Sequence, residues 1–216
     1  MTSLSESDET YFYPDESTND SKLLKIIEEM KNPDLIEEIN LEELEDLTDK
    51  SVIPLLSKCK NVKKVNFSLT QITDKSLLYL FKNCPYVTDL STCYCEKLTD
   101  KSLSHIPYKN LTELAISGTN VKFSTFSNIR NICEQLVYLA ISDITEITTD
   151  ILEDILINNP NLVCLFISGC QSLSDEIIPI IIKNCKNLKR ISIYDCPNFY
   201  DNGWLIKDKI PSIIFE

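Results

Sequence analysis

One short apolar spacing returns seven times along this chain without losing register, and it constrains the fold more than any other feature. Its clearest copy is Cys84-Pro85-Tyr86-Val87-Thr88-Asp89-Leu90-Ser91-Thr92-Cys93-Tyr94-Cys95-Glu96-Lys97-Leu98-Thr99-Asp100-Lys101-Ser102-Leu103. The first anchor of each copy falls at Ile36, Val62, Val87, Leu111, Leu136, Leu162 and Leu188, in steps of 24 to 26 residues. The second and third anchors follow at fixed offsets: Ile39/Leu41, Val65/Phe67, Leu90/Thr92, Leu114/Ile116, Leu139/Ile141, Leu165/Ile167 and Ile191/Ile193. A unit this short cannot bury its own apolar positions, so the copies must stack on one another.

Local chemistry gives each copy its shape. An apolar-x-apolar core with alternating sides makes a short strand with one face turned inward. Thr-Asp or Ser-Asp then opens a helix, because a side-chain oxygen accepts from the orphan N–H groups of the first turn. These expected caps are Thr48/Asp49, Thr73/Asp74, Thr99/Asp100, Thr149/Asp150 and Ser174/Asp175, with Ser124 serving the fourth copy. The helices are amphipathic, with Leu77, Leu78, Leu80 and Phe81 in one and Ile151, Leu152, Ile155 and Leu156 in another. The predicted fold is α/β: a curved solenoid of about seven repeats, with a parallel sheet on the concave side and helices on the convex side.

The motif Cys-x-x-Leu-x-x-Leu-x-Leu-x-x-Cys-x-x-Leu-Thr-Asp-x-x-Leu, carried best by Cys84–Leu103 and Pro160–Ile178, resembles the cysteine-containing class of leucine-rich repeats. That class is typical of F-box/leucine-rich-repeat proteins and their relatives without an F-box. The resemblance covers roughly residues 34–210. It implies substrate recognition or adaptor work in SCF-type ubiquitin-dependent turnover, with ubiquitin ligase subunits and their substrates as partners. The residues ahead of the first repeat are read as too few for an F-box, which departs from the F-box members. A stand-alone scaffold, an inhibitor or a complex-assembly factor is the other binding role.

Residues 1–20 are rich in Ser, Thr, Asp and Glu and are expected to be a disordered acidic tail. Tyr11-Phe12-Tyr13-Pro14 is its alternative use, as an aromatic docking segment, and Ser3, Ser5 and Ser17 each precede an acid by three residues. Residues 21–33 are expected to supply a capping helix over Ser21–Lys31, with Ser21 as cap, and 34–216 to form the solenoid. At the other end, Ile213, Ile214 and Phe215 look like the start of one more strand.

The net charge of −12 is uneven. Residues 1–50 hold 16 acids and 4 bases, and residues 51–216 hold 17 of each. With the solenoid balanced and the acidic surplus at the N-terminal end, nucleic acid is not the expected partner. No apolar run approaches the roughly 18 residues of a membrane span, and no signal segment is recognised. The expected setting is cytoplasmic or nuclear, so the sequons at Asn66 and Asn110 are read as incidental.

Nine cysteines fall into repeat ladders: Cys59, Cys84, Cys133 and Cys185 at helix ends, and Cys95, Cys170 and Cys196 at one loop position. Cys93 and Cys164 remain, on strand positions expected to face outward. A zinc site at Cys93-x-Cys95 is disfavoured, because alternate strand residues point to opposite faces. A Cys-dependent enzyme using Cys93 or Cys164 is the rival of another class. His105 is the only histidine and lacks a nucleophile partner in sequence, and Gly118, Gly169 and Gly203 are too scattered for a phosphate loop. The chain is therefore read as non-catalytic, with no cofactor or metal.

Recognition is expected on the concave face, which in a one-sided helical layer stays uncovered. Its C-terminal half carries Tyr138, Phe166, Arg190 and Tyr194, residue types that dominate interface hot spots. Its N-terminal half carries Glu38, Glu42 and Lys64. Packing of these aromatics on one another is the competing explanation.

Overall fold

The computed structural model describes residues 10–103, 108–122, 134–199 and 204–215. Ser3, Ser5, His105, Ser124, Cys133 and Gly203 lie outside the described residues.

Each repeat contributes a three-residue strand: β2 (Glu38–Asn40), β3 (Lys64–Asn66), β4 (Asp89–Ser91), β5 (Glu113–Ala115), β6 (Tyr138–Ala140), β7 (Cys164–Phe166) and β8 (Arg190–Ser192). Two-residue strands flank them, β1 (Tyr11–Phe12) and β9 (Ile214–Phe215), and the sheet runs β1 to β9 in chain order, all parallel. The register puts Ile39, Val65, Leu90, Leu114, Leu139, Leu165 and Ile191 in one line across the sheet. All seven are buried, and each fully buried aliphatic side chain contributes about 1.5–3 kcal/mol.

The helices are α1 (Asp20–Glu29), α2 (Asp49–Lys58), α3 (Asp74–Asn83), α4 (Asp100–Leu103), α5 (Thr149–Asn158), α6 (Ile177–Asn184) and α7 (Trp204–Lys209). On one side of the sheet α1 to α4 pack in series, as do α5 to α7, and among the described residues all but α4 contribute to a single apolar cluster with it.

The Thr-Asp signature has two separate uses. Thr48 and Thr73 cap their own helices, their hydroxyls accepting from the N–H of Lys50 and Lys75. The aspartate instead reaches the next repeat. Asp49 accepts from Thr73 N–H at 2.9 Å, the Thr73 hydroxyl at 2.6 Å and the Ser76 hydroxyl at 2.6 Å. Asp74 holds Thr99 and Ser102 in the same way, and Asp20 holds Thr48 and Ser51. Burial pushes the Asp49 carboxyl up, but the bonds from Ser76 and Thr73 outweigh it and leave the group below the usual carboxylate value.

The expected caps shift in the C-terminal half. Thr148, not Thr149, caps α5, its hydroxyl accepting from Ile151 N–H. Thr149 thereby takes the first helical position, where Asp49 sits in α2, and its hydroxyl accepts from Ser174 N–H at 3.3 Å. Ser174 caps nothing with its side chain: α6 starts at Ile177 behind Glu176, and Ser174 bridges in parallel to Asn198.

The N-terminal segment departs from the expected solvated tail. Residues 11–12 pair with β2, and Phe12 is buried in the common core. An aromatic with an apolar neighbour surface to cover overrides the polar composition around it. The cap of α1 is Asn19 rather than Ser21, so the helix begins at Asp20 and frees that residue for the aspartate ladder.

The cysteine ladders are structural. Cys95, Cys170 and Cys196 donate to the carbonyls of Phe67, Ile141 and Ile167 at 3.0, 3.2 and 3.2 Å. At the equivalent positions Thr70 and Thr119 instead donate within their own repeats, to the carbonyls of Phe67 and Ile116. Burial pushes the Cys59, Cys170 and Cys185 thiols up to about 12.

Candidate recognition face

The sheet's second side carries no helix, and the parallel register sorts its side chains into rows. The first row runs Glu38, Lys64, Asp89, Glu113, Tyr138, Cys164 and Arg190. The second runs from Asn40 and Asn66 through the small Ser91, Ala115 and Ala140 to Phe166 and Ser192. A third is a serine ladder that fixes the strand exits. Ser68, Ser117, Ser142 and Ser168 accept from the N–H of Cys93, Ser142, Ser168 and Tyr194. Small side chains in the middle of the face are therefore partly a requirement of stacking.

Tyr138, Phe166 and Arg190 come together. The Tyr138 and Phe166 rings lie 5.3 Å apart with planes tilted by 42°, and the Arg190 guanidinium carbon sits 6.0 Å from the Phe166 centroid. Arg190 Nε–H also donates to Cys164 Sγ at 3.1 Å. Cys164 is thus buried despite its outward strand position, whereas Cys93 is half-buried. Tyr194 stands outside the stack and is half exposed. Cys93 and Cys95 do not face one site, since Cys95 is committed to the core. Among the described residues no group of three or more His, Cys, Asp or Glu side chains could hold a metal.

At the other half, Glu42 is exposed and Glu38 accepts a short hydrogen bond from the Tyr13 hydroxyl. Lys64 Nζ lies 3.3 Å from Asp89, whose carboxylate also accepts from the Thr112 hydroxyl at 2.8 Å. Burial, and then Asp89, push the Glu113 carboxyl up against the opposing pull of Lys64 and Arg190. Burial also raises the Tyr138 phenol. Between these side chains the face sinks into a cavity of about 370 Å³ that reaches from Glu38 to Tyr138. Asp89 and Glu113 are its acidic wall, and neither is among the site residues expected from the sequence. Their shared row with Tyr138 was the signal that mattered.

A second polar contact crosses the loops beyond the strands. The Tyr94 hydroxyl donates to Asp143 at 2.7 Å, which raises the phenol to about 12. Its ring passes over Gly118, where a Cβ would lie 2.2 Å from it. The backbone turns left-handed at Glu43, Leu69, Tyr94, Gly118, Asp143, Gly169 and Asp195, the same position of every repeat.

Comparison with known proteins agrees with this geometry. An internalin, inlF of Listeria monocytogenes str. 4b F2365, superposes with a TM-score of 0.59 at 17% identity, over 95% of this chain and 65% of that one. The internalin inlC2 of the same strain gives 0.54 at 18% identity, over 86% and 82%. The fold is a leucine-rich-repeat solenoid. Rad7 in the yeast Rad7 and Elc1 complex shares this solenoid at a TM-score of 0.54 and 17% identity, over 95% of this chain and 67% of that one. In sequence, the solenoid is 26% identical over 165 residues to the DNA repair protein rhp7 of Schizosaccharomyces pombe (strain 972 / ATCC 24843). The match takes in 74% of this chain but only 29% of that protein's length. No family model matches. Among the described residues no helix is long and apolar enough to cross a membrane.

Proposed function

We propose that this solenoid is a non-catalytic protein-recognition module that seats its partner on the open face of the sheet, as a substrate-recognition or adaptor component of ubiquitin-dependent protein turnover. The Tyr138–Phe166–Arg190 stack is the observation that carries the recognition reading. Arginine and aromatic side chains held against one another lose little freedom on binding, which is what an interface anchor requires. Seven repeat strands about 4.8 Å apart span roughly 29 Å, wide enough for a helix or loop of a partner. The turnover setting draws support from the cysteine-containing repeat motif and from the likeness to Rad7, a protein crystallised in complex with Elc1. The relation to a DNA repair protein supports a nuclear location beside the cytoplasmic one.

Affinity capture from native lysate with the wild type and with Phe166→Ala/Tyr194→Ala tests both parts. Ubiquitin ligase subunits captured by both baits, together with further proteins lost from the double variant, support a substrate receptor docked through another surface. No ligase subunit with either bait removes the turnover role. Unchanged capture by a folded double variant removes the open face as the recognition surface.

A further inference from the structure

The first row of the open face leaves one carboxylate unmatched. Glu38 takes the Tyr13 hydroxyl, and Asp89 takes Lys64 and the Thr112 hydroxyl. Glu113 is exposed, and among the described residues no hydrogen bond or salt bridge reaches it, with Lys64 and Arg190 acting on it only at longer range. Its neighbour across the register is Tyr138, whose ring borders the same cavity. Two strands farther on, Arg190 already lies over the Phe166 ring. The face thus carries a filled arginine–aromatic contact beside an acidic, aromatic-walled cavity of about 370 Å³.

We infer that this cavity takes an arginine side chain of a partner protein, its guanidinium N–H groups on Glu113 and Asp89 and its plane against the Tyr138 ring. The inference rests on the recognition reading above and names what is recognised. Arginine fits better than lysine because a planar guanidinium forks onto carboxylates and stacks on a ring, while an ammonium is a hydrated point charge. The small Ser91 and Ala115 leave the floor open, so a long side chain can lie along it. Lys64 is 55% exposed but its partner Asp89 only 14%, so the incoming guanidinium shares Asp89 with Lys64 and gains most on the exposed Glu113. The surplus of acids within residues 1–50 adds a field that draws in a basic partner.

The test titrates the 216-residue chain with the peptide acetyl-Gly-Ser-Arg-Ser-Gly-amide and with forms carrying lysine or citrulline in place of arginine, followed by NMR of the Tyr138 ring and the Ala115 methyl. The arginine peptide should shift both signals saturably. Citrulline, which keeps the shape and loses the charge, should bind about three- to fivefold more weakly, as should the arginine peptide to Glu113→Gln. Tyr138→Leu should weaken arginine more than lysine. Equal binding of arginine and citrulline peptides, equal binding to wild type and Glu113→Gln, or no shift up to about 10 mM peptide overturns the inference. In partner capture, a partner kept by Glu113→Gln and lost by Phe166→Ala/Tyr194→Ala removes the arginine assignment alone. A partner kept by both variants removes the recognition reading with it.

Discussion

Asp49→Ala should destabilise the solenoid far more than Asp150→Ala, although both residues follow threonine in the same repeat signature. Asp49 accepts three hydrogen bonds from the next repeat, at 2.9, 2.6 and 2.6 Å. A bond to a charged acceptor contributes about 1.5–3 kcal/mol when buried, and this carboxylate is only half-buried. Water will replace part of the loss, so the expected cost is about 2–4 kcal/mol, concentrated at the α2–α3 interface. Asp150 sits one position deeper in its helix, because Thr148 rather than Thr149 is the cap, and the inter-repeat bond there belongs to Thr149. Its replacement should change stability by about 0.5 kcal/mol or less.

Urea unfolding followed by far-ultraviolet circular dichroism measures both. A cycle with Ser76→Ala isolates the Asp49–Ser76 coupling, since that pair shares one 2.6 Å bond and the two changes should be less than additive. Equal losses for Asp49→Ala and Asp150→Ala would sink the ladder argument. So would an additive cycle, because the aspartate would then act only on its own helix dipole.

Other consequences of the structure are open to simpler measurements. Asp20 and Asp49 titrate below their ordinary value of 3.8, so the unfolded chain binds more protons near that value and the stabilisation is lost as pH falls through the lower folded value. The urea midpoint should therefore drop as the pH falls below about 5 and on through 3.8, and drop less in Asp49→Ala. Gly169→Ala should cost about 1–3 kcal/mol, because the backbone is left-handed there (φ +69°) and a Cβ would meet Asp143 Oδ1 at 2.1 Å. A thermal melt indistinguishable from wild type would refute this. Iodoacetamide at neutral pH should label Cys93 first among the described cysteines and leave Cys59, Cys170 and Cys185 until urea is added. Rapid native labelling of any of those three would contradict their buried, ladder-bound placement.

The strands, their order and the buried line from Ile39 to Ile191 were legible because a fixed spacing leaves one way to stack. Helix starts were legible only where the signature stands alone. At Thr148-Thr149-Asp150 two threonines compete for the cap, and the spacing cannot choose between them, so the start moved by one residue. Ser174-Asp175 failed for a different reason: an inter-repeat bridge to Asn198 claims the chain before a helix can begin. The Tyr11–Phe12 strand was hidden by composition, since its partner surface is created by β2 and not by its own neighbours in sequence. On the open face, Tyr138, Phe166 and Arg190 were found as types. Their contact was not, because it depends on a register between strands some 26 residues apart.

The stacking apparatus and the open face use different atoms of the same repeat. Aspartate bonds at helix starts, thiol bonds to carbonyls of the preceding repeat, and the serine ladder at strand exits together join neighbouring repeats. None of them needs the side chains of the first row. The ties within that row and to Phe166 — Glu38 to Tyr13, Lys64 to Asp89, and the Tyr138, Cys164 and Arg190 contacts — are local and belong to no repeat-wide ladder. A solenoid held together this way imposes no pattern on its first row. The clustering of acids near Lys64 and of aromatics near Arg190 is therefore not a by-product of the repeat, and it is the part of the surface where a partner's chemistry should be sought.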